Sequence, residues 1–584
     1  MYDIAKYFLP SACFLLLVVF FLLLPELRVC RLGPVRGGDR RIGRADAGIM
    51  AALTLVYACL AFTGLGNTRS PQSFVELRGG PAQIELDVSG GEAESLMFFT
   101  GVGVGGYVID YTTDGSDSYR LGELEQSHAE VLKWIPVDLN YRITGGTLRI
   151  SGYGDVWLGE VVALTADGER IPALSGTAAL IDEQELCPDR ESFMNSSYFD
   201  EIYHARTAWE QLNGVYPYEI THPPLGKSII GLGIRLFGMT PFGWRFSGTL
   251  FGVLMLPLLY IFAKKLFGGR LVPAATASLM ATDFLHFVQT RIATIDTYAV
   301  FFILLMYLFM YRFLCDGRLF DLALCGLSFG LGAASKWTCF YAGAGLALIW
   351  LWWVITSVRA GRLTARGFVK NALFCVVFFI LVPGAIYYLS YIPYGRARGV
   401  DSVLSREYLD IVLNNQSYMF GYHSQLVATH PYSSFWYQWI LDIRPILYYL
   451  AYLPGGKHVS FGAFVNPVLC WGGLLALFVL VYLVIARRDR RSGFILAGYL
   501  AQLLPWVPVT RLTFAYHYFP CTVFLALALG RCFDLIVRNR RQGALIVLGF
   551  AALSFAVFVL FYPNLAGLPL GKSILRSWLP TWPF

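Results

Sequence analysis

The sequence predicts a polytopic α-helical membrane protein of about twelve spans, with an extracytoplasmic antiparallel β-sandwich inserted near its N-terminal end. Three observations carry this. Of 584 residues, 56% are hydrophobic and 15% charged, with a mean hydropathy of +0.54, against roughly 25% charged in a soluble domain. Apolar runs long enough to cross ~30 Å of hydrocarbon as helices recur along the chain. Basic residues concentrate in alternate connecting loops. This composition excludes disordered, fibrous and disulfide-scaffold classes, and the net charge of +7 is explained by where the charges lie.

The apolar runs fall at 8–25, 47–66, 242–263, 271–290, 297–313, 320–336, 338–355, 371–391, 465–486, 492–510, 514–531 and 543–562. Loop 26–46 carries Arg28, Arg31, Arg36, Arg40, Arg41 and Arg44, and loop 264–270 carries Lys264, Lys265 and Arg270. Arg312 and Arg318 follow, then Arg359, Arg362, Arg366 and Lys370, then Arg487, Arg488, Arg490 and Arg491, and finally Arg531, Arg538, Arg540 and Arg541. The positive-inside rule makes these loops cytoplasmic. They hold about half of the 46 Lys and Arg, so the basic balance is an orientation signal and not a nucleic-acid footprint. The first run has an Arg cluster after it and no small-residue cleavage site, and reads as a retained span with its N-terminus outside. Residues 1–66 are thus two N-terminal spans joined by an Arg-rich cytoplasmic loop.

Segments 67–241 and 392–464 then lie outside. Within the first, 71–185 shows period-two alternation, as in Ala82-Gln83-Ile84-Glu85-Leu86-Asp87-Val88 and Thr147-Leu148-Arg149-Ile150-Ser151. Turn signals at Asp114-Gly115, Thr144-Gly145-Gly146 and Asp167-Gly168 break it, the pattern of a small antiparallel β-sandwich. Val156-Trp157-Leu158-Gly159-Glu160-Val161 followed by Asp167-Gly168 is similar to jelly-roll, carbohydrate-binding modules, which leaves two readings: sugar binding, or packing and docking. Of the eleven cysteines, only Cys187 lies in the outer soluble region, so no disulfide framework forms there. Residues 190–391 form a membrane core that opens with an Asp-Glu loop, 392–464 an aromatic-rich outer loop, 465–562 a C-terminal four-helix region and 563–584 an outer tail.

All eight histidines, His128, His204, His222, His286, His423, His430, His458 and His517, map to the outer side. The densest polar cluster is Tyr198-Phe199-Asp200-Glu201-Ile202-Tyr203-His204, followed by Thr221-His222-Pro223-Pro224-Leu225-Gly226-Lys227. Adjacent carboxylates near an interface are costly to desolvate, which suits one of them to act as a general base toward a hydroxyl. The bland alternative is a solvated loop whose acids cap a helix, but the two prolines restrict that loop. Arg245, Arg291, Lys336 and Arg511 stand at outer ends of spans, where cations mark a function or snorkel. Arginine grips phosphate oxygens through paired hydrogen bonds, so a lipid phosphate or pyrophosphate fits this set.

At these residues the chain resembles the protein O-mannosyltransferases, polytopic GT-C glycosyltransferases that use a polyprenyl-phosphate sugar. The resemblance covers most of 195–562. It rests on Phe199-Asp200-Glu201, His222 through Lys227, Trp244-Arg245, Arg291 through Asp296, Ser335-Lys336-Trp337-Thr338, His430-Pro431-Tyr432-Ser433-Ser434, Arg444-Pro445-Ile446 with Tyr448-Tyr449, and Tyr516-His517-Tyr518-Phe519-Pro520. The departures are an added first span, the inserted β-domain, and an outer loop too short for the β-trefoil of eukaryotic members, which suggests a bacterial form.

The resemblance implies a hexosyltransferase that moves a sugar, expected to be mannose, from a polyprenyl-phosphate donor to Ser or Thr hydroxyls of exported proteins, with inversion and without a metal or cofactor. Asp200 is then the catalytic base and Glu201 shapes the acceptor site. Arg245, with Lys336, Arg291 and Arg511, holds the donor phosphate. His222, Lys227, Asp296, His204, His517 and Arg444 are the substrate-side candidates. A plasma-membrane location with an extracytoplasmic site, membrane lipids as partners, and contact with export machinery go with it. No HExxH, CxxC or outer Asp-x-Asp pair appears, and no Walker A sequence. A sibling that glycosylates a lipid or wall polymer differs only in its acceptor pocket. A transporter or flippase predicts mid-membrane charges and related halves, neither of which is visible, and a glycan receptor leaves Asp200 without a purpose.

Overall fold

The computed structural model describes all residues except 1, 28–39, 78–79, 87–90, 113–117, 572–575, 577 and 584. Arg28, Arg31, Arg36, the Asp87-Val88 end of the first alternating run and the Asp114-Gly115 turn signal lie outside the described residues. The chain divides into two compact units: one of residues 1–63, 220–227 and 248–584, the other of 64–219 and 228–247.

The second unit contains the β-domain. Its strands are β1 (Val75–Glu76), β2 (Ala82–Leu86), β3 (Ala93–Thr112), β4 (Ser118–Gln126), β5 (Trp134–Ile143), β6 (Gly146–Leu164), β7 (Arg170–Ile171) and β8 (Ala173–Gly176). All pairings are antiparallel, and the order β4-β3-β6-β2-β8, with β5 on β3 and both β1 and β7 on β6, makes one continuous eight-stranded sheet. The expected two-sheet sandwich is therefore refined. β3 and β6 run the full length of the domain, and every other strand but β8 pairs directly with one of them. Residues from β2 through β7 share one apolar cluster that includes Ile84, Leu96, Phe98, Tyr107, Leu148 and Leu158. Strand β2 alternates buried and exposed residues along its whole length, as period-two patterning requires. The long pair bulges at Phe99–Gly103. There Gly103 has φ +101° and an added Cβ would stand 1.6 Å from the Asp155 carbonyl oxygen, so only glycine fits.

The helices are α1 (Tyr2–Leu22), α2 (Arg44–Phe62), α3 (Glu201–Leu212), α4 (Leu225–Phe237), α5 (Pro241–Phe267), α6 (Leu271–Ala281), α7 (Phe284–Gln289), α8 (Asp296–Asp316), α9 (Leu319–Ser335), α10 (Thr338–Arg359), α11 (Ala365–Val376), α12 (Val382–Leu389), α13 (Ile392–Ala397), α14 (Arg406–Gln425), α15 (Trp436–Ile440), α16 (Pro467–Arg487), α17 (Arg490–Leu503), α18 (Phe519–Asn539) and α19 (Gly543–Ala566). Among the described residues, eight helical runs are long and apolar enough to cross a membrane, and Phe8–Leu22, Leu271–Ala281 and Leu319–Ser335 are shorter apolar helices. The protein is a multi-pass membrane protein. Two of the twelve expected spans are broken: 271–290 divides at Thr282-Asp283, where the Asp283 side chain caps α7, and 492–510 leaves its helix before Pro505 and Pro508, which cannot continue it. A π-turn at Val377–Leu381 joins α11 to α12 just ahead of Pro383, whose missing N–H widens the helix locally.

Helix α18 is buried at every position from Phe519 to Ile536 and forms the centre of this unit. Gly498 of α17 lets the Phe524 ring of α18 approach, since an added Cβ would stand 2.1 Å from it; small residues allow such packing in membranes. The outer loop expected at 392–464 is instead ordered: it holds α13, α14, α15 and a hairpin of β9 (Ile446–Leu453) and β10 (Lys457–Ala463). The tail is anchored as well, with Trp582 Nε1 donating to the Asp442 carbonyl at 2.9 Å.

Part of the basic set assigned to orientation is also paired. Lys264 meets Asp46 at 2.8 Å and Arg312 meets Asp321 at 2.8 Å. The fully buried Arg531 reaches Asp489 at 2.9 Å and Asp534 at 2.5 Å, and Arg538 joins Asp534.

Candidate active site

Asp200 stands at the N-cap of α3. Its carbonyl accepts from the Tyr203 and His204 amides at 3.1 Å, while its carboxylate takes no part in capping. The residue before it, Phe199, has φ +48°, a left-handed conformation that costs an aromatic residue free energy and persists only where its surroundings impose it. Those surroundings are specific. Ser197 donates from its amide to Leu132 O at 2.9 Å and from its hydroxyl to Val131 O at 2.6 Å, and Ser196 Oγ accepts from the Trp134 amide at 3.1 Å. The β-domain thus seats the Asp-Glu loop on residues 131–134, a docking geometry.

Glu201 and Arg245 close the loop from within, and both side chains are 0% exposed. Arg245 Nε donates to Glu201 Oε1 and Nη2 to Oε2, each at 2.7 Å. Its remaining donors go to Leu65 O at 2.8 Å, Phe193 O at 2.6 Å and Ser196 O at 3.1 Å. A guanidinium has five N–H groups, and all five are satisfied. Two expectations are corrected here: Arg245 has no donor to give a phosphate, and Glu201, with both oxygens bound by Arg245, does not form an acceptor surface. The pair positions the Asp200 loop.

The other cations gather differently. In the unit of spanning helices, a cavity of about 340 Å³ is lined by His222, Lys336, Trp337, Tyr341, His423, Trp506, Arg511 and His517 among others. Its lining holds two full cations and no carboxylate. Lys336 is the C-cap of α9, where a cation also meets the negative end of the helix dipole. It pairs with Asp296 at 2.6 Å. Arg511 lies in the irregular stretch opened by Pro505 and Pro508, and its one protein hydrogen bond among the described residues is to Leu512 O at 3.2 Å. His222 Nδ1 lies 3.0 Å from Thr221 Oγ1 and meets the His423 ring edge to face, centroids 5.1 Å apart. His423 Nε2 donates to Thr221 O at 2.8 Å, which fixes its tautomer. Burial, with His222 and Arg511 adding to it, pushes the His423 ring down to about 4. Trp506 packs against His517 at 4.4 Å and Tyr341 at 5.8 Å, giving aromatic walls beside the cations.

Four sequence candidates lie elsewhere. Arg291 donates to Ala61 O at 3.0 Å and Thr63 O at 2.8 Å, tying the end of α2, and does not line the cavity; its phosphate assignment is corrected. Lys227 is fully buried and donates to His222 O at 2.9 Å, so it supports the His222 turn. His204 faces Glu219 at 4.0 Å within the β-domain unit. Arg444 donates to Pro431 O at 2.6 Å and stays outside the cavity. The cavity also contains His423, Tyr341 and Trp506, which no sequence motif marks as site residues. His423 had only its outer location to mark it, and the aromatic pair looks like ordinary span residues.

Two family models match the chain: "Dolichyl-phosphate-mannose-protein mannosyltransferase" over 221–403 and "C-terminal four TMM region of protein-O-mannosyltransferase" over 408–582. The chain belongs to the protein O-mannosyltransferase family. The polyprenol-phosphate-mannose–protein mannosyltransferase of Mycolicibacterium smegmatis is 28% identical over 66% of this chain and 87% of its own length. That of Mycobacterium tuberculosis is 27% identical over 66% and 86%. The protein O-mannosyltransferase Pmt1-Pmt2 complex of S. cerevisiae, solved with its sugar donor, superposes with a TM-score of 0.60 at 14% identity, covering 66% of this chain and 89% of that one, so the protein O-mannosyltransferase membrane fold is shared. The cavity cations Lys336 and Arg511 lie inside the two matched segments, whereas Asp200 and Glu201 precede them.

Proposed function

We propose that this protein transfers mannose from a polyprenyl-phosphate donor to Ser or Thr hydroxyls of exported proteins. The observation that carries the reading is the carboxylate-free cavity with Lys336 and Arg511 beside His222 and His517, in a chain whose family models are mannosyltransferases. Preplaced cations meet the charge that develops on a departing phosphate. The acceptor hydroxyl oxygen attacks the anomeric carbon from the face opposite the phosphate, the anomeric carbon–oxygen bond to phosphate breaks, and Asp200 takes the hydroxyl proton. The sugar is inverted and polyprenyl phosphate leaves. Lys336 and Arg511 supply the countercharge, so the transfer step uses no metal. Aromatic walls at Trp506 and Tyr341 suit a sugar face. The site faces the extracytoplasmic side of the plasma membrane, where exported chains arrive, and contact with the export machinery would deliver them.

Purified protein given polyprenyl-phosphate-mannose and a Ser/Thr-rich peptide should yield mannosylated peptide, and Asp200→Asn should abolish it with the fold intact. Undiminished turnover by that variant sinks the base assignment, and product formed only with a lipid or polymer acceptor replaces the protein acceptor.

A further inference from the structure

We infer that Glu160, Asp182 and Glu183 bind a Ca²⁺ ion that ties the start and the end of the β-domain to its central strand. One carboxylate oxygen from each of the three lies within 4.8 Å of the others. Glu160 belongs to β6 and is 0% exposed. Its Oε2 accepts from the Glu183 amide at 3.1 Å, while its buried Oε1 has no hydrogen-bond partner among the described residues. The desolvation of that oxygen is left uncompensated by hydrogen bonds, and Glu160 is one of the three members of the cluster.

The neighbours orient the group without neutralising it. Glu183 Oε2 accepts from the Gln72 amide at 2.6 Å and the Ser73 amide at 3.3 Å, and Ser73 Oγ donates to Asp182 Oδ2 at 3.1 Å. Each carboxylate keeps its second oxygen outside these hydrogen bonds. The Arg69 guanidinium pairs with Glu185 at 2.9 Å, and among the described residues no Lys, Arg or His pairs with the three carboxylates. An all-oxygen anionic donor set selects a hard divalent cation. Ca²⁺ accepts many carboxylate oxygens in a flexible shell at about 2.3–2.6 Å, whereas Mg²⁺ keeps several waters and takes one or two carboxylates, so a set of three protein carboxylates favours Ca²⁺. Residues 72–73 lead into the domain and 182–183 lead out, so the ion would fasten both to β6. Gln72 in turn accepts from the Met239 amide at 2.8 Å, which carries the constraint to the turn before α5.

The test uses the full-length protein in detergent, stripped with a chelator and titrated with Ca²⁺ or Mg²⁺ by calorimetry and by thermal unfolding. The expected result is one Ca²⁺ per chain, a Tm that rises with Ca²⁺, and affinity at least about tenfold weaker in an Asp182→Asn/Glu183→Gln double variant. Glu160→Gln should abolish binding; should that variant fail to fold, the double variant, altered at less buried positions, carries the test. The absence of saturable Ca²⁺ uptake, unchanged affinity in the double variant, or equal preference for Mg²⁺ overturns the assignment. The ion takes no part in sugar transfer, so turnover persisting below the lowered Tm of the stripped protein separates this inference from the proposed activity.

Discussion

Arg245 and Arg511 look alike in the sequence, each an arginine at the outer end of an apolar run, and the structure gives them opposite situations. Arg245 is sealed, with five N–H groups on five acceptors that include both oxygens of Glu201. Arg511 lines a cavity and spends one N–H group on a neighbouring carbonyl. The role of a cation at a span end is therefore set by the acceptors around it. Where the protein supplies all of them the arginine is a brace, and where it supplies few the arginine keeps uncommitted N–H groups.

The sharpest way to separate the braced loop from its chemistry is Asp200→Asn, which removes the proposed base and keeps the brace. Turnover should fall by about 10²–10⁴-fold with an unchanged thermal melt, read by peptide mannosylation beside thermal unfolding. Arg245→Met should behave in the reverse way. It leaves Glu201 as an uncompensated buried charge, a loss of about 3–5 kcal/mol, seen as a collapse of Tm or of folded yield. A well-folded Arg245→Met protein with raised donor KM would return Arg245 to the phosphate and break the comparison. Arg511→Met should leave the melt nearly unchanged and raise donor KM by about 10–100-fold, the worth of charged hydrogen bonds at about 1.5–3 kcal/mol.

The smallest effect concerns pH. Burial holds the His423 ring down at about 4, against 6.5 for an ordinary histidine, so between those values the unfolded chain binds more protons than the folded one. The neutral ring's contribution is complete above about 6.5 and is lost as pH falls toward 4. His423→Asn should therefore lose less stability than the parent between pH 6.5 and 4.5, measured by thermal unfolding at each pH.

The membrane architecture was legible because hydropathy reports directly on apolar helices long enough to span. Lys336, His222, Arg511 and His517 were legible for a related reason, since polar groups at span ends are rare enough to be noticed. The sealing of Arg245 was not, because three of its acceptors are backbone carbonyls of Leu65, Phe193 and Ser196 that carry no side-chain signature. The 20-residue β3 and 19-residue β6 were not legible as single long strands, since a bulge such as that at Phe99–Gly103 breaks the period-two alternation. The order within 392–464 was masked by its aromatic residues, which pack the α13–α14 segment, where Tyr391, Tyr394 and Tyr408 are buried together.

The Lys336–Arg511 cavity, and not Arg245 or its neighbours, is the proposed seat of the donor phosphate. The direct measurement is the affinity of purified protein for polyprenyl phosphate, compared among the parent, Arg511→Met and Arg444→Met. Binding should weaken by at least about tenfold in Arg511→Met and stay unchanged in Arg444→Met; equal affinity of Arg511→Met and the parent would contradict this assignment.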